Sequence, residues 1–492
     1  MFRGKSKKTA RPVEHFSTTC FRYPTRNSIP LRSYNPTSMQ RLFQPVDISS
    51  LILLRIVFGI LGFADVFGTW IYYHMMKGAF DPEAFQFKYY GFEWVQPLPE
   101  PFMSVLLLSI CACAILVMLG KWHHISATLF AFGFTYTYFL EKAHYLNHGY
   151  LFCWIAFLMI FLPVNRQLSL DARDNPDLKS DTVPYWCLFI PQFLMGVVYF
   201  FGGIAKLNAD WLNAIPLKQW IGYRSEQPVI GPLLAQESTA YFMAYGGLFL
   251  DLFVVFFLIF RRTRPWAFAA VLFFHFMNLL VFNIGIFPFL SVTLTALYFS
   301  PDFPRRFTRW LAERWRWLDK QRSSWALRMQ VSTEQIPLWQ ADPRNRTAIL
   351  TGLGVLMVIH LMLPLRHHLY PGDVTWTEEG HRYAWRMMLR SKIGFGQFRV
   401  VNQSTGEETI VRPKDYLSER QERKLYTHPD MILQFAHFLE KEFEAEGQEV
   451  AVYAKIRCKL NYRDYHNYVD PEADLTEVEW SFWRASDWIL PE

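Results

Sequence analysis

Cysteine is scarce and badly placed for disulfides. Six occur in 492 residues. Cys111, Cys113, Cys153 and Cys187 sit inside apolar runs, where they read as small hydrophobes. Cys458 is alone in the polar C-terminal part, which therefore cannot staple itself internally. No Cys/His spacing has the pattern of a zinc site. The first 45 residues lack an early apolar core, and a cleavable signal peptide is not expected. No inverted repeat is evident, which weakens a transporter reading. Basic residues are clustered rather than spread. Membrane topology explains such clusters better than nucleic-acid binding does, so no nucleic-acid partner is expected.

Apolar and aromatic residues are abundant, at 51% and 18% of the chain. Several runs approach the ~20 residues that cross a ~30 Å hydrocarbon core. Spans are expected at 51–73, 102–120 and 122–140, then in a run ending near Val164, and again at 184–204, 239–260 and 347–364. Residues 266–299 are interrupted by Asn283-Ile284-Gly285-Ile286-Phe287-Pro288. They read as two short spans, or one span and a re-entrant segment. Between spans, 207–238 reads as a loop. Arg55 and Asp65 read as a structural pair in the first span, and Asp251 as a helix-packing polar contact.

The expected fold is an α-helical polytopic membrane bundle of about nine crossings, with eight as the alternative, followed by a soluble α+β C-terminal domain. Its parts are a flexible basic segment 1–45, a membrane catalytic domain 46–304, a basic cytoplasmic connector 305–346, a last transmembrane helix 347–364 and an exported domain 365–492. Nine crossings from a cytoplasmic N-terminus put Arg166–Lys179, Arg261–Arg264 and Arg305–Arg328 in the cytoplasm, as the positive-inside rule asks. The C-terminal domain then lies on the opposite, extracytoplasmic or lumenal side. Within it, 398–401 and 409–411 read as a hairpin, 428–446 as a helix and 450–462 as a strand.

Lys206 closes the fifth apolar run, behind Gly202-Gly203 and an aromatic cluster. Desolvation penalises an ammonium, so a lysine held there can act as a base. The plainer alternative is a lysine that snorkels to the headgroups. The Asn147-His148 turn, Lys206 and the half-span bearing His275 can meet near one face of the bilayer. Such a site suits a lipid-soluble substrate with one polar edge. Residue types alone leave an enzyme, a transporter and a lipid-binding scaffold open.

The segment Phe200-Phe201-Gly202-Gly203-Ile204-Ala205-Lys206-Leu207-Asn208-Ala209-Asp210-Trp211 resembles the signature of the vitamin K-dependent gamma-glutamyl carboxylase family. Asn147-His148-Gly149-Tyr150-Leu151, Phe274-His275-Phe276-Met277-Asn278 and Ser300-Pro301-Asp302-Phe303-Pro304-Arg305 extend the resemblance. In the C-terminal part, Tyr383-Ala384-Trp385-Arg386-Met387-Met388-Leu389, His428-Pro429-Asp430-Met431 and Tyr468-Val469-Asp470-Pro471 do so too. The similarity covers roughly residues 42 to 492. Ala205 stands where animal members carry a second lysine, and their long additional C-terminal region has no counterpart, so a shorter microbial-type member is expected.

The resemblance implies an enzyme that oxygenates vitamin K hydroquinone to its epoxide. The strong base so formed would convert glutamate to gamma-carboxyglutamate, with O2 and CO2 as co-substrates and no metal. It assigns catalysis to Lys206 and His148, and substrate contacts to Asn147, His275 and Asn278. Membrane lipid, a reduced quinone and a Glu-containing protein or peptide are the implied partners. The alternatives are a quinol epoxidase without protein carboxylation and a non-catalytic quinone- or lipid-binding scaffold.

Overall fold

The computed structural model describes residues 38–75, 82–228, 230–282, 284–315 and 343–492. Most of the basic N-terminal segment, connector residues 316–342 and Asn283 lie outside the described residues. Ser38–Arg41 is one helical turn in a separate unit, Met1–Arg41, and the larger unit is Leu42–Glu492.

The apolar runs form helices: α1 (Ser49–Met75), α2 (Phe102–Leu119), α3 (His123–Phe139), α4 (Asn147–Phe161), α5 (Trp186–Ala205), α6 (Glu237–Ile259), α7 (Arg264–Val281) and α8 (Phe287–Ala296). An amphipathic α9 (Phe303–Trp315) follows, and α10 (Pro343–Met362) is the last apolar helix. Among the described residues, six helices are long and apolar enough to cross a membrane: α1, α2, α5, α6, α7 and α10. The apolar helices α4 and α8 are shorter. Residues 266–299 thus divide into one 18-residue helix and one 10-residue helix.

Helix ends follow local chemistry. Gly120 (φ 63°) ends α2 in the left-handed region, where a glycine costs least, and its N–H and that of Lys121 close back onto the last turn. Pro265 and Pro288 sit in first turns, where the missing N–H is harmless. Strand β1 (Pro45–Asp47) pairs antiparallel with β2 (Thr182–Pro184), tying the entry to α1 to the entry to α5. Of the six long apolar helices, α5 is the most buried, with α6 packed along it.

The C-terminal domain is a four-stranded antiparallel sheet, β4-β3-β5-β6, backed by helices. Its strands are β3 (Lys392–Asn402), β4 (Glu408–Val411), β5 (Val450–Leu460) and β6 (His466–Asn467). Strand β5 alternates buried Val452, Ala454, Ile456 and Cys458 with Lys455 and Arg457, the pattern of a half-covered sheet. Helices α11 (Glu419–Leu425) and α12 (Pro429–Ala445) precede it, and α12 covers its inner face. Cys458 is buried and free.

Membrane-part loops complete this domain's core. Phe87, from the aromatic loop after α1, and Ala143, from the α3–α4 turn, are buried in the same cluster as Phe398 and Phe435. Burying a phenylalanine contributes roughly 1.5–3 kcal/mol. Gln434 exchanges two hydrogen bonds with the Lys88 backbone, at 3.1 and 2.9 Å, and Gln421 Nε2 donates to Glu141 Oε2 at 2.7 Å. The domain is held against the bundle by shared core, not by a tether alone.

Two expectations need correction. Arg55 does not pair with Asp65. Its guanidinium donates to the carbonyls of Val164 (2.8 Å), Gln167 (3.3 Å) and Leu168 (2.5 Å), just past the end of α4. Ten residues of helix separate the two side chains by about 15 Å along the axis, so they could not meet. The 207–238 segment is not a plain loop: it holds the short helices Ala209–Leu212, Ile215–Gly222 and Gly231–Leu234. Their apolar residues, such as Leu217 and Ile221, pack with Leu248 of α6.

Candidate active site

Lys206 caps the C-terminus of α5 and is 6% exposed. Its Nζ donates to Asp251 Oδ2 at 2.6 Å and to Gly202 O at 3.1 Å, and lies 5.3 Å from the Trp211 ring. The neighbouring motif residues build this arrangement. A Cβ at Gly203 would fall 2.7 Å from the Leu252 backbone nitrogen, and one at Gly202 would fall 3.4 Å from Asp251 Oδ2. The glycine pair therefore lets α6 approach α5 closely enough to bring Asp251 to the lysine. Asn208 accepts from Trp211 N at 2.9 Å and donates to Ala205 O at 2.9 Å, closing the turn. Trp211 Nε1 then donates to Ala244 O at 2.9 Å, pinning the turn to α6.

The sequence by itself makes Asp251 a helix-packing contact. The structure places it as the partner of Lys206, 45 residues away in the chain. A buried ammonium is costly without such a partner, and the pair satisfies both groups.

Lys206, His148, Asn147, His275 and Asn278 all line one cavity of about 1330 Å³. This exceeds the ~300–1,000 Å³ of an ordinary ligand pocket. One arm runs between α6 and α7, past Phe249, Phe257, Ala270 and Phe273. The polar groups gather at the other end. The His148 ring stacks on Phe287, with centroids 5.7 Å apart. His275 is 2% exposed, its Nε2 3.5 Å from Tyr199 OH, while its Nδ1 has no hydrogen-bond partner among the described residues. Tyr199 OH is shared with Thr295 Oγ1 at 3.0 Å. Asn147 Oδ1 accepts from Tyr145 OH at 3.0 Å, and Tyr145 OH accepts from Tyr383 N at 2.7 Å. Asn147 is thus aimed by a bridge from the C-terminal domain.

That domain supplies a cationic wall. Arg382, Arg386 and Lys424 line the cavity, with Lys142 of the α3–α4 turn. Asp430 takes Lys142 at 2.5 Å and Arg382 at 2.6 Å. Burial works against its charge, but Arg382 and Lys142 hold its carboxyl well below the usual carboxylate range. Burial, with Arg390 and Arg382 beside it, pushes His381 well below the ordinary imidazole value. Burial lowers Lys424 to about 8.

Ligand atoms of Glu378, His381 and His428 lie within 4.8 Å of one another, close enough to hold a metal ion. The donor set does not fit a cation. Arg390 spends two hydrogen bonds on the Glu378 carboxylate, and Lys392 Nζ is 3.7 Å from it. The local charge suits an anion instead.

Two family models cover this architecture. The HTTM domain model matches residues 43–303, the bundle with Lys206 and His148. The vitamin K-dependent gamma-carboxylase lumenal domain model matches residues 345–492, the domain with the cationic wall. The chain belongs to the vitamin K-dependent gamma-glutamyl carboxylase family. No solved structure matches it. The cavity lies where the family's two parts meet, and both line it. Sequence reading missed Asp251, Tyr145 and the wall residues. Asp251 alone carried a signal, a carboxylate inside an apolar helix. Tyr145, Arg382 and Lys424 sit in polar stretches where such residues are unremarkable.

Proposed function

We propose that this chain is an integral-membrane vitamin K-dependent gamma-carboxylase that forms vitamin K epoxide from the hydroquinone and carboxylates glutamate with CO2. The observation that carries the reading is a single apolar cavity whose polar end joins the Lys206–Asp251 pair, His148 and Asn147 to a cationic wall. An apolar arm with polar groups at one end fits a lipid-soluble quinol. Bound there, the hydroquinone would supply, with O2, the strong base that the glutamate step needs.

The roles we assign are these. Lys206 is the base toward the quinol hydroxyl. Asp251 holds its Nζ at 2.6 Å and positions it in the cavity. His148 moves a proton at the cavity's polar end, and Asn147 donates to a developing oxyanion. His275 and Asn278 hold the polar edge of the quinol. Arg386, Arg382 and Lys424 receive the substrate carboxylate as cationic donors. The apolar lining keeps water from quenching a strong base. We infer nine membrane helices with a cytoplasmic N-terminus, which puts the cavity's polar end and the C-terminal domain on the extracytoplasmic side.

The test incubates purified protein with vitamin K hydroquinone, labelled CO2 and a Glu-containing peptide, and measures epoxide and label separately. Both should form, and Lys206→Ala should abolish both. Epoxide without label reduces the activity to quinol epoxidation. Bound quinone with neither product leaves a scaffold.

A further inference from the structure

The outer face of the C-terminal domain's sheet is largely open; Tyr465 lies on it near the β5–β6 turn, its carbonyl accepting from Arg457 at 2.7 Å and its ring 5.0 Å from Lys459 Nζ and from the Phe395 ring. Side chains alternate along a strand, so Lys455, Arg457 and Lys459 project together from β5. Opposite them on β3 stand Gln397, Phe395 and Ile393, paired in register with Lys455, Arg457 and Lys459. Phe395 is 50% and Ile393 45% exposed. The result is a cationic row about 14 Å long beside an apolar patch. From 455 to 466 the chain carries these three cations and Arg463 against the single acid Asp464. Two further acids near the sheet, Glu408 and Glu472, are engaged by Arg399 at the far end.

The row's near end is fixed to the membrane part. In the β5–β6 turn, Asn461 Nδ2 donates to Asp210 Oδ2 at 2.6 Å and Arg463 to Asp210 Oδ1 at 3.0 Å. Asp210 belongs to the short helix directly after α5. That helix lies beside α6 below its first turn, since Tyr245 OH donates to Leu212 O at 3.1 Å. In the same turn Tyr462 is 64% exposed. Cations interleaved with aromatic and aliphatic side chains at the end of a membrane span are what the headgroup region selects.

We propose that the outer face of the β3–β5 sheet lies on the bilayer and binds anionic phospholipid headgroups. The lipid supplies the phosphates that the cationic row lacks on the protein. Phe395, Ile393 and Tyr462 enter the interfacial layer beside them. Strand β3 begins just after cavity-lining Met387 and Met388, so this contact braces the cavity wall from the lipid side.

The proposal stands independently of the catalytic reading, and its test needs no turnover. A fluorophore is placed at Gln397→Cys, with Ser404→Cys in the distal β3–β4 turn as reference, in a Cys20→Ser background; the other cysteines are buried. The full chain is reconstituted in nanodiscs of phosphatidylglycerol with phosphatidylcholine, containing a headgroup-level nitroxide lipid. Position 397 should be quenched well beyond position 404, and phosphatidylcholine alone should weaken the effect. Lys455→Glu with Arg457→Glu and Lys459→Glu should reduce the apposed population by at least about fivefold per reversed charge. Equal quenching at 397 and 404, or indifference to charge reversal in a folded variant, overturns the proposal. So does protection of position 397 by a soluble polyglutamate peptide where anionic lipid gives none, which would assign the face to an acidic polypeptide.

Discussion

Asp251 Oδ2 lies 2.6 Å from Lys206 Nζ, and both side chains are walls of the same cavity. The contact joins the C-terminus of α5 to the middle of α6. It also places a carboxylate against the amine proposed as base.

Asp251→Asn should keep the fold, because the amide oxygen can still accept from Lys206. It should lower quinol epoxidation by about 10²-fold, the scale of a lost acid–base partner. Asp251→Ala should also destabilise the protein by about 3–5 kcal/mol, since it leaves the buried Lys206 Nζ without its side-chain acceptor. Epoxide assays beside thermal melts separate the two effects. Wild-type turnover in Asp251→Asn would show that the carboxylate does not assist.

The glycines of α5 and α6 make opposite predictions. Gly203→Ala drives a Cβ to 2.7 Å from the Leu252 backbone, so α6 must move. It should cost about 1–3 kcal/mol and carry Asp251 off Lys206. Gly246→Ala meets nothing within 4 Å and should change stability by less than about 0.5 kcal/mol. Melting temperatures of the two variants decide, and equal behaviour would refute the close-approach explanation.

Tyr145→Phe removes the hydroxyl that bridges Tyr383 N and Asn147 Oδ1. The lost bridge should cost about 1–3 kcal/mol through its unpaired partners. Turnover should fall by about tenfold with little change in the quinol KM, because Asn147 loses its aim rather than its chemistry. Steady-state kinetics that shift KM alone would argue for a binding role instead.

Glu379 gives a pH signature outside the membrane. It is 2% exposed, and burial raises its carboxyl to about 7 despite the hydrogen bond from Ser486 N at 3.0 Å. Unfolded, it titrates near ~4.3. Between these values the folded state holds a proton that the unfolded state has lost. This group's contribution is therefore fully present below about pH 4 and is lost as pH rises to about 7. Glu379→Gln resembles the protonated form, so it should stabilise the protein above pH 7 and do nothing near pH 4. Melts across that range in buffered detergent would expose the opposite trend directly.

Much of this molecule was legible without coordinates. Apolar runs such as 102–120 and 184–204 became helices because length and hydropathy are local properties of a chain, as is the alternation that made 450–460 a strand. The order of polar residues around Lys206, His148 and His275 sufficed for the family. Which helix faces meet is not local. Only folding brought Asp251 to Lys206, turned Arg55 away from Asp65 toward the end of α4, and set Asp430 between Lys142 and Arg382. Each of these contacts is chosen by packing across many residues, and the penalty for an unpaired buried charge then fixes the partner.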